Sequence, residues 1–150
     1  MARIVLDSNL IARAVMSPGG LASEILRKVL VEDHVLCMSD FMLAELLRIL
    51  QYPRLQKIHG LTDLEVVEFV CSIQKSAMVV EFDSTKVAKV TPDIDDDPII
   101  ETAVVAKAQF LCSLDRDILD QAVISFCESH GVQVVDDLAM IGILRRTDAK

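Results

Sequence analysis

The sequence predicts an α/β fold: a three-layer α/β/α sandwich around a central, mainly parallel five-stranded sheet. Three observations carry that prediction. Apolar runs of four or five residues alternate with longer stretches of helical spacing, and strands separated by helices imply parallel βαβ units. The chain is 150 residues long, the size of one domain, and no linker, repeat or low-complexity segment divides it, so residues 1–150 are expected to form a single unit. Its hydrophobic fraction is 52% against 25% charged residues, enough to build a full core and too apolar for a disordered chain.

RIVLD at 3–7 is the first strand. SPGG at 17–20 makes a turn, after which Leu21, Ile25, Leu26, Val29 and Leu30 recur at helical spacing, and HVLCM at 34–38 is the second strand. Ser39 caps a helix that runs to Leu50, Pro53 interrupts, and Leu61 to Ser76 is helical with Leu64, Val67 and Val70 in step. MVVEF at 78–82 is the third strand. An acidic loop then leads to a helix from Pro98 to Ala108 and to FLCSL at 110–114, the fourth strand. Ile118, Leu119, Ala122, Val123 and Phe126 mark a further helix, VQVV at 132–135 the fifth strand, and Leu138 to Arg146 a closing helix.

Composition excludes several classes of function. The longest uncharged stretch, Ala14 to Ser23, is ten residues, well short of the roughly 18 that suggest a membrane span. The N-terminus has no signal-peptide profile, so a cytoplasmic protein is expected. Cys37, Cys71, Cys112 and Cys127 are widely spaced without a CxxC pair and read as buried thiols; His34, His59 and His130 are equally scattered, so zinc has no ligand set. P-loop, GxGxxG and GxSxG signatures are absent. The net charge of −8 argues against a polyanionic partner on its face. Its distribution matters more: residues 91–120 hold eight carboxylates against two bases, a local balance of −6 that leaves −2 for the rest. Arg48, Arg54, Lys57 and His59 form a modest basic stretch suited either to phosphates or to ordinary surface.

Ligands of open parallel sheets bind beyond the carboxyl ends of the strands, so the residues that follow the strands are the candidates. Asp7 follows the first strand, and Asp115 with Asp117 follows the fourth. Each has a structural alternative as a helix cap, Asp7 for a short helix starting near Asn9 and Asp115 for one starting at Arg116. Glu45 lies on a helix apolar nearly all round, where a buried carboxylate needs a partner; Arg48 at i+3 is one. Asp97 precedes Pro98 and suits an N-cap, yet Glu101 stands four residues on, where two carboxylates repel. Carboxylates converging on one edge from separate chain positions suit a hard divalent cation, Mg²⁺ or Mn²⁺, which takes oxygen ligands and substrate phosphate and activates water for in-line attack. Such a cation also lets an acidic site receive a polyanion.

These residues, VLDSN at 5–9, SDFMLAEL at 39–46, DIDDDPIIETA at 93–103, CSLDRDIL at 112–119 and the ending VQVVDDLAMIGIL, resemble the PIN-domain family, and in order and spacing most resemble its VapC-related toxin branch. The resemblance implies a PIN-like fold and an Mg²⁺- or Mn²⁺-dependent endoribonuclease with Asp7, Glu45, Asp97 and Asp115 as its acidic set. Asp7, Asp97 and Asp115 are expected to hold the metal, with Ser8, Asn9, Glu101, Ser113 and Asp117 around the metal or the phosphate. It further implies RNA as substrate, a homodimer, and an antitoxin protein whose basic side chain fills the acidic groove. Within DIDDD, Asp97 ranks ahead of Asp96, because Ile99, Ile100 and Ala103 follow it in register. After the fourth strand, Leu114 stands where the family often carries glycine, leaving Asp115 and Asp117 as alternatives. A phosphoacceptor domain fits less well, since one acid, not two, follows the first strand, and Asn9 weakens a DxD phosphatase. A non-catalytic, protein-binding PIN-like module is the remaining rival. Leu138, Ile141 and Leu144 of the closing helix serve either a subunit interface or plain core.

Overall fold

A computed structural model describes residues 1–83 and 97–148. The elements are β1 (Arg3–Leu6), α1 (Ser8–Met16), α2 (Leu21–Val31), β2 (Val35–Ser39), α3 (Asp40–Leu50), α4 (Pro53–His59), α5 (Asp63–Ser76), β3 (Met78–Val80), α6 (Asp97–Val105), β4 (Phe110–Cys112), α7 (Gln121–Ser129), β5 (Gln133–Val135) and α8 (Asp137–Asp148). The sheet order is β3-β2-β1-β4-β5 and every pair is parallel. Right-handed crossovers put connections that step towards β3 and those that step towards β5 on opposite faces, which produces the α/β/α layers. α1 packs on α2 and α3, α3 on α5, and α2 on α8, whereas α6 lies on β1, β2 and β4. No described helix is long and apolar enough to cross a membrane.

β1, buried at Ile4, Val5 and Leu6, sits at the centre of the sheet with layers on both sides, which is why its run is apolar without alternation. The core continues through Leu36, Met38, Met42, Leu46 and Leu50 of β2 and α3, all at or near zero exposure. Of the closing-helix residues, Ile141 and Leu144 are core and pack with α8 on α2, while Leu138 is 68% exposed. Arg145 of α8 adds a two-pronged contact to Glu24, both at 3.1 Å.

Four expectations need correction. Pro53 does not interrupt helix: it opens α4 as its first residue, where proline's missing N–H costs nothing, and Gly60 at φ +72° closes it. α7 starts later than its apolar spacing suggests. Ile118 is fully buried in the turn before the helix, and Asp120 is the cap, accepting from the Ala122 N–H at 3.1 Å. Cys71 is exposed on α5, whereas Cys37, Cys112 and Cys127 are buried, and burial pushes the Cys127 thiol up to about 11. α6 begins at Asp97 and stops at Val105 rather than Ala108.

The stop is made by Lys107 at φ +53°, a left-handed position held by its N–H to the Val104 carbonyl (3.1 Å) and by Ala108 N–H to the Ala103 carbonyl (2.9 Å). That conformation crowds a Cβ and favours glycine. Lys107→Gly is expected to stabilise the protein by about 0.5–1 kcal/mol, roughly 2–3 °C in thermal melting, the relief of strain outweighing the added freedom of the unfolded chain.

Candidate active site

The chain steps from β1 to β2 to β3 in one direction and then returns to place β4 on the other side of β1. The reversal therefore lies between β1 and β4, and the crevice beyond their carboxyl ends is where this architecture takes ligands. Asp7 stands there, extending the ladder with its N–H to the Cys112 carbonyl at 3.0 Å. It also caps α1: its Oδ1 accepts from the Asn9 N–H at 3.2 Å, and its carbonyl accepts from Leu10 and Ile11. The capping alternative for Asp7 is thus realised, and it occupies only one of the two carboxylate oxygens.

Ser113 is the joint of the site. Its N–H continues the β4–β5 ladder to the Val135 carbonyl (3.1 Å). Its fully buried hydroxyl donates to Asp7 Oδ2 at 2.8 Å and accepts from the Asp115 N–H at 3.0 Å. Asp115 Oδ1 in turn accepts from the Asp117 N–H at 2.9 Å, and its carbonyl accepts from Ile118 and Leu119, so Asp115 caps a turn and not a helix. Asp7 and Asp115 line one pocket of about 370 Å³, shared with Asn9, Arg13, Met16, Ile49, Leu55 and Leu114.

Burial pushes the Asp7 carboxyl above the usual carboxylate range, and the nearby Asp115 charge pushes it the same way. The hydrogen bonds from Ser113 and from the Asn9 N–H pull it back only in part. Ser113→Ala removes the strongest of those opposing contacts. Its expected result is a further rise of the Asp7 titration, read from the carboxyl ¹³C shift, with about 1.5–3 kcal/mol of stability lost at neutral pH.

α3 and α6 bring the other acids. Ser8 does not point into the pocket chemistry: its buried hydroxyl donates to the Met42 carbonyl at 3.0 Å and ties α1 to α3. Ser39 caps α3, accepting from the Met42 N–H at 3.4 Å, and lies 2.8 Å from the Thr102 hydroxyl, which is also 2.7 Å from the Pro98 carbonyl. This buried knot fastens the first turn of α6, where Asp97 is 3% exposed, to the first turn of α3. Glu101, half-buried, follows one turn later. Glu45 lines a separate pocket with Phe41, Ala44 and Arg48. Its Oε2 is 3.9 Å from Arg48, a loose pair because the Arg48 side chain is 65% exposed. One turn beyond Glu45, Ile49 lines the Asp7–Asp115 pocket.

The structure thus brings Asp7, Ser113, Asp115 and Asp117 into one bonded array with the Asn9 backbone, whereas Glu45 lines a separate pocket. Asp93, Asp95 and Asp96 lie outside the described residues, so the choice between Asp96 and Asp97 is not decided by position. A larger cavity of about 490 Å³ opens past β2 and β3 among Ser39, Asp40, Phe41, Val80, Glu81 and Phe82; it is away from the reversal of strand order. Among the described residues, no group of three or more His, Cys, Asp or Glu is placed to hold a metal ion. The donor set nevertheless fits a hard divalent cation. It consists of oxygens, and Mg²⁺ is commonly held by one or two carboxylates together with water and substrate phosphate.

Sequence reading missed Arg13 and Thr102, and read Ser39 only as the cap of α3, without its contact to Thr102. Arg13 carried a signal: it stands one helical turn after Asn9 in DSNLIAR, and the two polar residues mark one face of an otherwise apolar helix. Thr102 carried none, since a threonine in an apolar helix is common.

No curated protein matches the chain. Residues 3–117, from the start of β1 through the turn that holds Asp115 and Asp117, match the model of the family described as PIN domain, a family of nucleases, and the chain belongs to it.

Proposed function

We propose that this chain is a divalent-metal-dependent endoribonuclease, with Asp7, Asp97 and Asp115 as the metal-holding carboxylates and Glu45 beside them. The observation that carries the reading is the Asp7–Asp115 pair: a buried carboxylate, hard to ionise, faces a second carboxylate in one pocket at the strand reversal. A fold alone gains nothing from that repulsion, whereas Mg²⁺ or Mn²⁺ converts it into binding energy. Membership of a nuclease family supports the same conclusion.

When bound, the cation supplies a polarised water and neutralises charge at the phosphate. The chain's own residues do the rest. Ser113 holds Asp7 Oδ2 and the Asp115 backbone in fixed relation, so the two carboxylates would hold a cation without rearranging. Asn9, through its N–H, fixes Asp7 Oδ1. Glu45, on α3, is the residue we assign to orienting water or accepting its proton.

The finer reading is the toxin of a toxin–antitoxin pair, cytoplasmic and homodimeric, restrained by an antitoxin that places an arginine or lysine among the acids in the metal's stead. The test is cleavage of single-stranded and structured RNA by purified protein in Mn²⁺ and in EDTA. Metal-dependent cleavage that leaves 5′-phosphate and 3′-hydroxyl ends is expected, together with a rise in melting temperature on adding Mn²⁺. Absence of cleavage with no metal effect on melting overturns it in favour of a non-catalytic, protein-binding PIN module. A monomer by light scattering across a wide concentration range removes the dimer and leaves the nuclease.

A further inference from the structure

We propose that the pocket holding Asp7 and Asp115 is a subsite for one nucleotide of a single strand, in which the Arg13 guanidinium takes a phosphate and Met16, Ile49, Leu55 and Leu114 receive the sugar and base. The inference rests on the nuclease reading for what the strand is there for, and on the structure of the pocket for who binds it.

The pocket has three kinds of wall. Asp7 and Asp115 form the acidic one. Among the described residues Arg13, exposed on the last turn of α1, is the one cation that lines the pocket, and it makes no ion pair with them. The third wall is apolar: Met16 from α1, Ile49 from α3, Leu55 from α4 and Leu114 after β4 are all half-buried, so each keeps a face open to the cavity. At about 370 Å³ the space falls in the range of small-ligand sites, which pair an apolar wall with a few convergent polar groups.

A guanidinium beside two carboxylates would ordinarily close on one of them. Here Asp7 is held by the Ser113 hydroxyl and by the Asn9 N–H, and Asp115 Oδ1 by the Asp117 N–H, so these oxygens already have donors on their own side. Arg13 is left facing the cavity. Its planar fork matches two phosphate oxygens, a geometry lysine lacks. A residue that merely complemented the C-terminal end of α1 would serve as well pointing to solvent. The acidic wall and the cation then divide one strand between them: a metal-borne phosphate at the acids, the neighbouring phosphate at Arg13, and the intervening nucleoside on the apolar wall.

The experiment measures binding of a short fluorescein-labelled single-stranded RNA by anisotropy in Ca²⁺ across a range of salt, with cleavage in Mn²⁺ measured in parallel. Arg13→Gln is expected to flatten the plot of log affinity against log salt by about 0.7, one phosphate contact on a single strand, which corresponds to about fivefold weaker binding near 0.1 M salt. Arg13→Lys should restore the slope but only part of the affinity. Lys75→Gln, at the last turn of α5, controls for loss of one charge and should change neither. Leu55→Gln, on the apolar wall, should weaken binding with the slope unchanged. Wild-type slope and affinity in Arg13→Gln, or an equal loss in Lys75→Gln, overturns the subsite. If wild-type protein cleaves RNA and Arg13→Gln matches it, the subsite fails and the nuclease reading stands. If nothing is cleaved yet the Arg13-dependent slope is present, the nuclease reading fails and the subsite stands. A wild-type protein that binds no RNA overturns both.

Discussion

Replacing Asp7 by Asn should slow RNA cleavage by about 10³-fold or more while making the metal-free protein harder to melt at neutral pH. The first effect follows from removing one of the charges that hold the cation, whose electrostatic contribution is several kcal/mol at about 1.4 kcal/mol per tenfold in rate. The second follows from the raised titration of Asp7. Its folded value lies above its unfolded one, so the native state holds the proton more tightly, and stability falls as pH climbs from the ordinary carboxylate range through the folded value. Above that window wild-type protein carries a buried anion against Asp115, which the amide abolishes. The amide oxygen still accepts from the Asn9 N–H, and the amide NH₂ faces Ser113 Oγ, which has lone pairs for both it and the Asp115 N–H. A melting temperature about 2–4 °C higher at neutral pH is expected, with the advantage gone in acid and with no stabilisation on adding Mn²⁺. Loss of activity accompanied by a lower melting temperature at every pH would mean that Asp7 is a structural cap and no more.

Leu46→Ala should have the largest effect on stability. Leu46 has no solvent exposure and lies on α3, which packs against α1 and α5. Deleting a buried leucine side chain costs about 2–5 kcal/mol when the surroundings cannot collapse into the space. Here collapse is opposed by the bonds that hold α3 at its first turn, from Ser8 and from the Ser39–Thr102 knot. Melting some 5–15 °C lower is expected from calorimetry. Because Glu45 is the adjacent residue on the same helix, residual cleavage at a temperature where the variant is folded should also fall. A loss below about 1 kcal/mol would show that the layer between α3 and the sheet repacks freely.

Most of the sheet was legible in the sequence because the inner strands are buried and read as apolar runs, as RIVL and VLCMS do. Ser39 was read as a cap because Ser before an apolar helix has a local mechanism that needs no distant partner. The α4 start failed for the complementary reason: proline at the first helical residue and proline as a breaker look alike until the downstream glycine is known to close a turn. The late start of α7 was hidden because Ile118 is core without being helical, and periodicity reports burial before it reports conformation. At the candidate site, Asp7 and Asp115 could be picked out individually as acids after strands. What could not be read was the Ser113 hydroxyl between them, or that Asp7 is buried and strained electrostatically, since both depend on β1 and β4 being neighbours across more than a hundred residues.

That separation has a consequence during synthesis. β1 can find β2 as soon as the first crossover and β2 itself have left the ribosome, and domains made this way begin to fold from the N-terminal side. Yet Asp7 meets its partner hydroxyl 106 positions later in the chain. Until β4 has been translated and inserted beside β1, the emerging polypeptide carries three of the five strands, and Asp7 lacks both the Ser113 hydroxyl and the Asp115 charge. A truncation anywhere before residue 113 is accordingly expected to lack both the Ser113 hydroxyl and the Asp115 carboxylate, however well its first three strands assemble.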